Sequence, residues 1–301
     1  MAGRAWIVDS LGQPAFDRLA AVLPGTQLQS VLLEVMQRRA KVRTPSDVLT
    51  QYRRDGFCKP APVDQRTAVA IDAHLLAAAV GFEAIELSPV APLGACSAVA
   101  LTDQNRVLSA LRSTEIVSDP TNVLALECAQ RLRAGPDSPV HFATSQRVIR
   151  AQPVPNVPGY APHFRIFVLA SGGCEAKDHA FTIDTLTRHV RTMLGALDRL
   201  ERHGYGFGAR QVDILATPER AKLGDRIAEG LGAIAWRGPL AHPYYSGGLR
   251  YMLWVTTSDG GRVPLIDGGA FDWLARLASN QRAVFVATGA GAQLIAIRFR
   301  V

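Results

Sequence analysis

The second half of the chain consists mainly of short β-type segments separated by turns of hairpin length. From residue 140 onward these segments read VHFATSQRVIRAQ, HFRIFVLAS, QVDIL, GLRYMLWVTT, GRVPLI and AVFVAT. They outnumber the strand–helix–strand signals that a parallel sheet requires. The pattern therefore predicts an α+β fold, in which a mostly antiparallel sheet is flanked by helices.

Several segments carry apolar residues at helical spacing. The clearest is RTAVAIDAHLLAAAV, residues 66–80, which Gly81 ends before the predicted strand FEAIELSPV. Asp119-Pro120-Thr121 opens another helix, NVLALECAQRLR, because Asp and Thr are good helix caps. Gly135-Pro136-Asp137 is expected to end it. We also predict helices over residues 103–111 and 180–203, and glycine mixed with an apolar run in the last segment, GAGAQLIAIRF.

The first 60 residues are predicted to form a helical accessory region, and residues 61–301 the main core. Helices are expected over residues 14–23 and 27–39, and a third is opened by Thr44-Pro45-Ser46-Asp47, where Thr44 or Ser46 can cap it. The N-terminal sequence lacks the apolar stretch of a signal peptide, and no apolar run reaches the ~18 residues of a membrane span. We therefore expect a cytoplasmic protein without membrane association.

Charge and cysteine content narrow the function only slightly. The chain has 33 basic and 26 acidic residues, a formal net charge of +7. Arginine forks bind phosphate and carboxylate equally well, so this excess suits nucleic acid, nucleotides or solubility alone. The cluster Arg38, Arg39 and Lys41 is a candidate nucleic-acid surface, although such runs are usually solvated faces. The four cysteines form no CxxC pair, and no P-loop, HExxH or GxSxG motif occurs.

Taken in order, these elements resemble the catalytic core of class II aminoacyl-tRNA synthetases. The resemblance covers roughly residues 61–301 and is strongest to histidyl-tRNA synthetase and to its non-charging relative, the regulatory subunit of ATP phosphoribosyltransferase. The segment GFEAIELSP, residues 81–89, resembles the first motif, whose helix and strand form the dimer interface of the family. The resemblance thus implies a homodimer.

The resemblance also implies a site for an amino acid. Asp119 and Thr121 resemble the acidic-x-Thr turn that contacts the amino group of the substrate in the family. HPYYSG, with Tyr244 and Tyr245, resembles the histidine-specific Tyr-Tyr-Thr-Gly signature. DGGAFD, with Gly268 and Gly269, resembles Gly-Gly-Arg-Tyr-Asp, with alanine in place of arginine, and adjacent glycines let a ligand approach the backbone closely.

A nucleotide site is implied by the second and third motifs. Arg150 aligns with the second-motif arginine that holds the α-phosphate and the substrate carboxylate, and is the catalytic candidate. The other nucleotide-binding candidates are Gln152, His163, Arg165, Gly289, Gly291 and Gln293. Gln152 stands where the family usually has glutamate. Gln293 stands where the family keeps an arginine on the γ-phosphate, and a neutral amide cannot replace that charge.

Two further departures argue against tRNA histidylation. On the strand 164–171, the family places Gln and Glu to hold histidine, where this chain has Leu169 and Ser171 or Gly172. Because imidazole needs a donor and an acceptor, these losses argue against histidine as the ligand. The chain ends at Val301, so we expect no C-terminal anticodon-binding domain.

Two functional hypotheses follow. The favoured one is a synthetase-like paralogue that binds an amino acid, a nucleotide or both in a regulatory or non-canonical role, held in a complex with a catalytic protein partner. The alternative is an ATP-dependent ligase that activates a carboxylate for an acceptor other than a full tRNA. It would need ATP and magnesium, for which the acidic side chains are Glu127, Asp267 and Asp272.

Overall fold

The computed structural model describes residues 2–135 and 138–301. Pro136 and Asp137, where one helix stop was predicted, lie outside these residues. The helices are α1 (Ala2–Leu11), α2 (Gln13–Asp17), α3 (Gly25–Lys41), α4 (Pro45–Arg54), α5 (Gln65–Ala78), α6 (Pro120–Ala134), α7 (Ala180–Glu201), α8 (Ala221–Leu231), α9 (Trp273–Ala278) and α10 (Ala292–Arg298). The strands are β1 (Glu83–Ala84), β2 (Val90–Pro92), β3 (Ser109–Ala110), β4 (Thr114–Ile116), β5 (Val140–Ile149), β6 (His163–Cys174), β7 (Arg210–Ala216), β8 (Ala235–Pro239), β9 (Leu249–Thr256), β10 (Arg262–Phe271) and β11 (Ala283–Ala290).

Eight strands form one large sheet in the order β1-β5-β6-β11-β10-β9-β7-β8. The pairs β1–β5 and β7–β8 are parallel, and the five other neighbouring pairs are antiparallel. The hairpin of β5 and β6 runs in continuous register from Val140 opposite Gly172 to Ile149 opposite His163. These pairings confirm the predicted α+β fold with a mostly antiparallel sheet. A smaller sheet has the order β2-β4-β3.

Helices cover both faces of the large sheet because its strands alternate apolar side chains to either side. On one face, α5, α7 and α8 pack against the sheet through side chains such as Leu75, Val190 and Ile227. On the other face, α6 and α9 pack through Leu124 and Trp273. The sheet therefore has a core on each side, and the candidate site opens on the face of α6 and α9.

Two local predictions were wrong, and one strand was not predicted. Residues 103–111 do not form a helix: Gln104–Arg106 make one 3-10 turn, which the Asp103 side chain caps at the Asn105 amide, and the chain then extends into β3. The segment FEAIELSPV, residues 82–90, is strand only at β1 and at its last residue, Val90, where β2 begins. The strand β8 was not predicted, because AWRGP is short and half exposed. It pairs in parallel with β7, and α8 connects the two strands along the chain.

The N-terminal helices were largely predicted, apart from α1. Thr44 caps α4 in a reciprocal capping box with Asp47, as the sequence indicated. In α2, α3 and α4, all of whose residues are described, no side chain is buried. Arg38, Arg39 and Lys41 lie in the exposed last turn of α3, and nucleic-acid binding there stays a prediction. Within the described chain, no helix combines the length and apolar character needed to cross a bilayer.

Candidate functional site

A cavity of about 340 Å³ lies on the sheet face that α6 and α9 share. The sheet contributes side chains from β6, β9, β10 and β11, and Arg150 follows directly after β5. The N-terminus of α6, the loop from Cys96 to Arg106 and the turn before β9 close the remaining sides. We call it the first cavity. It gathers eight of the residues predicted to bind an amino acid or a nucleotide: Asp119, Thr121, Arg150, Gln152, Tyr244, Tyr245, Gly268 and Gly289.

One end of the first cavity holds an ion pair between Asp119 and Arg150. Asp119 caps α6 by accepting hydrogen bonds from the Thr121 amide at 3.0 Å and hydroxyl at 2.8 Å. Arg150 donates to the Asp119 carboxylate at 3.3 Å and to the Ser118 carbonyl at 3.0 Å. Its guanidinium also lies over the Phe164 ring, 5.1 Å from the centroid. The arginine is therefore held in one orientation, with its charge facing the cavity.

The other end holds a second ion pair, Arg250 with Asp267. Arg250 donates from Nε to Oδ1 at 3.0 Å and from Nη2 to Oδ2 at 2.7 Å, the two-pronged geometry of strong arginine–carboxylate pairs. The guanidinium also lies 4.9 Å from the centroid of Tyr245. Burial alone would lower the pKa of Arg250, but the hydrogen bond and charge of Asp267 raise it overall. The sequence did not single out Arg250.

Two tyrosines separate these ion pairs. The rings of Tyr244 and Tyr245 meet edge to face with centroids 5.3 Å apart. Burial raises the pKa of Tyr244, and the nearby Asp119 raises it further. Burial likewise raises the pKa of Tyr245, together with the charge of Asp267. Both phenols are therefore neutral at physiological pH, and each accompanies one ion pair.

The two adjacent glycines of β10 have different roles. A Cβ at Gly268 would point away from the cavity into the core around Tyr251, 2.5 Å from the Thr288 hydroxyl and 2.7 Å from Cε1 of Tyr251, so only glycine fits here. A Cβ at Gly269 would collide with the Leu249 carbonyl and the Tyr245 ring. Gly269 does not line the cavity and instead lets Tyr245 pack against the sheet.

A second cavity, of about 370 Å³, adjoins the first and shares Arg150 and Gln152 with it. The proline-rich loop forms one wall, and the lining includes the predicted nucleotide-binding residues Arg165, Gly291 and Gln293. Gln293 is only 3% exposed. Its Oε1 accepts a hydrogen bond from Arg147 at 3.3 Å, whereas its Nε2 has no hydrogen-bond partner among the described residues. A buried donor without a partner indicates a place for a ligand atom or water.

Arg165 does not reach the second cavity as a free cation. Its Nε lies 2.5 Å from Oδ2 of Asp72, which α5 supplies, and Ser145 donates to Oδ1 of the same carboxylate at 2.5 Å. Burial raises the pKa of Asp72 in spite of this pairing. His163 lines neither cavity, because its ring nitrogens contact Arg147 and the Lys59 carbonyl.

The acidic side chains proposed for magnesium do not converge. Glu127 pairs with Arg131, Asp267 with Arg250, and Asp272 accepts a hydrogen bond from Ser246. The part of the chain that the structure describes contains no group of three or more His, Cys, Asp or Glu side chains that could hold a metal ion. These residues therefore do not fit a magnesium site made by the protein alone.

The β6 residues Leu169 and Ser171, which stand where the family has Gln and Glu, do not face the first cavity. Phe167 and Leu169 point to the face of α5 and α7, whereas Val168 and Ala170 belong to the core around α6. Ser171 bonds to His189 of α7. Leu169 and Ser171 therefore do not face the cavity, and Ile166 is the β6 side chain that lines it. An apolar Ile166 offers no hydrogen bond to imidazole.

A buried hydrogen-bonded chain starts at the floor of the first cavity. Tyr251 donates to the Thr288 hydroxyl at 2.8 Å, and Thr288 lies 2.9 Å from Nδ1 of His189. From His189 the chain continues through Ser171, at 2.8 Å, to His141, at 2.7 Å. Burial lowers the pKa of His189 to about 3 and that of His141 to about 4, so both rings are neutral at pH 7.

Comparison with solved structures identifies this architecture. Apo histidyl-tRNA synthetase of S. aureus superposes with a TM-score of 0.56 at 12% identity, over 76% of this chain and 64% of that one. An ATP phosphoribosyltransferase regulatory subunit/histidyl-tRNA synthetase from Bacillus halodurans C gives 0.58 at 15% identity, over 79% and 82%. A domain of threonyl-tRNA synthetase from Cryptosporidium parvum Iowa II, described as RNA-binding, gives 0.60 at 10% identity, over 76% and 64%.

The chain therefore has the class II synthetase-like fold, as its motifs indicated. Among proteins with this fold, it is similar in structure to histidyl-tRNA synthetase and to the regulatory subunit. It spans 64% of the length of the S. aureus enzyme. No protein-family model and no curated protein matches the sequence.

Proposed function

We propose that this protein is a class II synthetase-like paralogue that binds an amino acid in the first cavity and a nucleotide in the second, in a regulatory role. The observation that carries the proposal is the position of Arg150, which lines both cavities. A single fixed cation at their junction suits two ligands whose anionic groups meet there.

The Asp119–Arg150 end of the first cavity suits the zwitterionic part of an amino acid. The carboxylate of Asp119 would accept the ammonium group, and the guanidinium of Arg150 would donate to the carboxylate. Their mutual contact, 3.3 Å long, is loose enough for a ligand to replace it, and both side chains are partly exposed to the cavity. Tyr244 lies close to this pair and lines the same cavity.

Support for a nucleotide comes from the glycines and the orphaned amide of the second cavity. Gly291 keeps the wall free of side-chain atoms, and the unpartnered Nε2 of Gln293 is a donor available to a phosphate or base. The second cavity offers less positive charge to a phosphate than the site of an adenylating enzyme, because Gln293 is neutral and Arg165 is already paired with Asp72. A charge-assisted phosphate contact contributes on the order of 10²–10³ in rate. We therefore expect the second cavity to bind a nucleotide without turning it over.

The regulatory role and its partner rest on structural similarity. One similar structure is, by its name, a regulatory subunit of ATP phosphoribosyltransferase. By analogy we propose a homodimer that works with a separate catalytic protein in the cytoplasm. Light scattering tests the dimer, since a mass near that of the 32.4 kDa chain at micromolar concentration would contradict it.

An ATP-dependent ligase is the second candidate, favoured by the same position of Arg150. A carboxylate held by Arg150 in the first cavity would attack the α-phosphorus of ATP, forming an acyl adenylate and releasing pyrophosphate. Arg150 would then stabilise the charge that develops on the α-phosphate. This candidate needs magnesium to arrive with the nucleotide, because the acidic side chains do not gather into a site.

The deciding experiment measures amino-acid-dependent exchange of labelled pyrophosphate into ATP, beside calorimetric binding of the same amino acids and of ATP. Arg150→Ala is the test variant. Arg262→Ala is the matched control, because Arg262 is half exposed and lies outside both cavities. Binding without exchange, weakened only by Arg150→Ala, supports the regulatory proposal. Exchange with one amino acid establishes the ligase, and the absence of any binding by folded protein overturns both.

A further inference from the structure

The first cavity has two charged ends that lie far apart on the sheet. Arg150 follows β5, and Arg250 lies on β9, with β6, β11 and β10 between them. Four strand spacings separate them, roughly 19 Å between backbones. Tyr244 accompanies the Asp119 end and Tyr245 the Arg250 end. Both arginine side chains extend into the same cavity, so the gap between their charged groups is shorter than this backbone separation and suits an amino acid with a polar side chain.

The Arg250 end is polar but has no net charge. Asp267 engages two N–H donors of Arg250, and the Tyr245 hydroxyl also contacts both groups. The guanidinium has five N–H donors and the carboxylate about four lone-pair sites, so some of each are left for a ligand. The Arg250 side chain is 18% exposed and that of Asp267 is 37% exposed, and both line the cavity. The ion pair can therefore contact a ligand without breaking.

We propose that Arg250 and Asp267 select an amino acid with a neutral side chain that carries both a hydrogen-bond donor and an acceptor, as the carboxamide of glutamine or asparagine does. This inference rests on the proposed function of the first cavity. The amide oxygen would accept from Arg250, and the amide NH₂ would donate to Asp267.

The reason for this selectivity is charge balance. Asp267 and Arg250 neutralise each other, so the pair has no net charge that would attract a charged side chain. A carboxylate side chain would be repelled by Asp267, and an ammonium side chain would be repelled by Arg250. A hydrocarbon side chain would displace water from the partly exposed pair without satisfying its remaining donors and lone pairs, which is costly. A carboxamide avoids both penalties.

A purely structural ion pair between β9 and β10 makes a different prediction. In that case, substitution would lower the free energy of unfolding but change the affinity for all amino acids by the same factor. A selective pair makes the preference itself depend on which charge remains. The ranking of ligands therefore separates the two roles.

The experiment compares the affinities of the wild-type protein for glutamine, glutamate, asparagine, aspartate, leucine and lysine by titration calorimetry. We expect each amide to bind about tenfold or more tightly than its acid and than leucine. In Asp267→Asn the free guanidinium should reverse the amide-to-acid preference. In Arg250→Gln the free carboxylate should favour lysine, and the double variant should again prefer the amides.

Each outcome bears on a definite claim. Wild-type preference for an acid, for lysine or for leucine overturns this inference while the proposed amino-acid site stands. An unchanged ranking in folded single variants also overturns it. Binding of none of the six amino acids by folded wild-type protein overturns the proposed function and this inference together. If a single variant does not fold, the wild-type ranking and the charge-neutral double variant still decide.

Discussion

Asp119 and Arg150 form an ion pair, 3.3 Å long, in which the carboxylate is also the cap of α6. The same side chain therefore has a structural partner, the Thr121 amide, and a partner at the site. Substitutions that keep the cap but remove the charge can separate the two roles.

Asp119→Asn is expected to weaken amino-acid binding by about tenfold or more, because the amide cannot pair with an ammonium group. The free energy of unfolding should fall by less than about 1 kcal/mol, since Asn also caps helices well. Calorimetry and urea unfolding measure the two quantities. Asp64→Asn, at the cap of α5 and outside both cavities, is the control and should leave binding unchanged. Equal loss of binding in both variants would contradict the assignment.

Stability should fall in mild acid because His189 and His141 are held neutral. Their folded-state pKa values, about 3 and about 4, lie below the ordinary value of 6.5, so the unfolded chain binds protons first as the pH falls. Between pH 6.5 and about 4, the buried His189 alone should cost about 1.4 kcal/mol per pH unit. His141, near Arg188 and partly exposed, adds a smaller share.

Urea unfolding at pH 7, 6 and 5 tests this dependence. His189→Gln should be less stable than wild type at pH 7, because it disturbs the contacts to Ser171 and Thr288, yet its stability should change less with pH. Identical pH slopes in the two proteins would show that His189 is not the titrating group.

Glu115 positions the loop that carries Cys96 and Arg106 to the first cavity. This carboxylate, 2% exposed, accepts hydrogen bonds from the amides of Gly94 and Cys96 and from Gln104. Glu115→Gln replaces one carboxylate oxygen, which accepts these hydrogen bonds, with an NH₂ group. That NH₂ group would face N–H donors and could not bond to them. A loss of about 1–3 kcal/mol of stability is expected, with loosening of the loop.

Thiol labelling of the native protein reports that loosening. Cys58 and Cys174 are exposed and should react quickly, whereas Cys96 and Cys128 are buried and should react slowly. Glu115→Gln should speed the reaction of Cys96 only, and a saturating cavity ligand should slow it again. In Glu115→Gln, Cys96 should thus become a third fast-reacting thiol beside Cys58 and Cys174. The control variant Glu115→Gln/Cys96→Ser should show only the two fast thiols again. Accelerated labelling of Cys128 instead would indicate general unfolding.

Gly268→Ala should overpack the core beneath the first cavity, on the face of α5 and α7, and weaken the fold. The added Cβ would meet Thr288, Tyr251 and the Ala287 carbonyl, and such overpacking costs about 1–3 kcal/mol. Gly195→Ala is the control, because Gly195 lies on the exposed side of α7 with no atom within 4 Å of the added Cβ. It should stabilise the helix by about 0.5–1 kcal/mol. Thermal melting compares the two, and calorimetry should show weaker ligand binding in Gly268→Ala alone, because the crowded strands also line the cavity at Gly268 and Thr288.

Gln293→Arg should return a cation to the second cavity. Without nucleotide it should lower the melting temperature, because Arg147 lies 3.3 Å from the present amide oxygen and would repel the new charge. ATP should then raise the melting temperature more than it does in the wild-type protein. A stabilised variant that ATP does not shift would argue against a phosphate at this position.

Sequence alone determined the features that depend on local signals. Alternating strands predicted the sheet and its β5–β6 hairpin, and the Asp119-Pro120-Thr121 cap marked both a helix start and a site residue. The motifs around Arg150, Tyr244 and Gly268 identified the fold, because residues that approach a ligand occupy fixed places along these strands. Eight residues chosen in this way line one cavity.

Tertiary structure decided what depends on contacts between distant segments. Arg250 becomes a site residue only because β9 and β10 pair in a register that sets it beside Asp267. The sequence around Glu115 does not indicate its role, because that role depends on the N–H donors that the folded loop brings to its carboxylate. The side of β6 to which Leu169 points follows from the pleat and the packing of α7, not from alignment to a motif. Charge pairing and burial across the sheet are properties of the whole fold, which local sequence patterns do not encode.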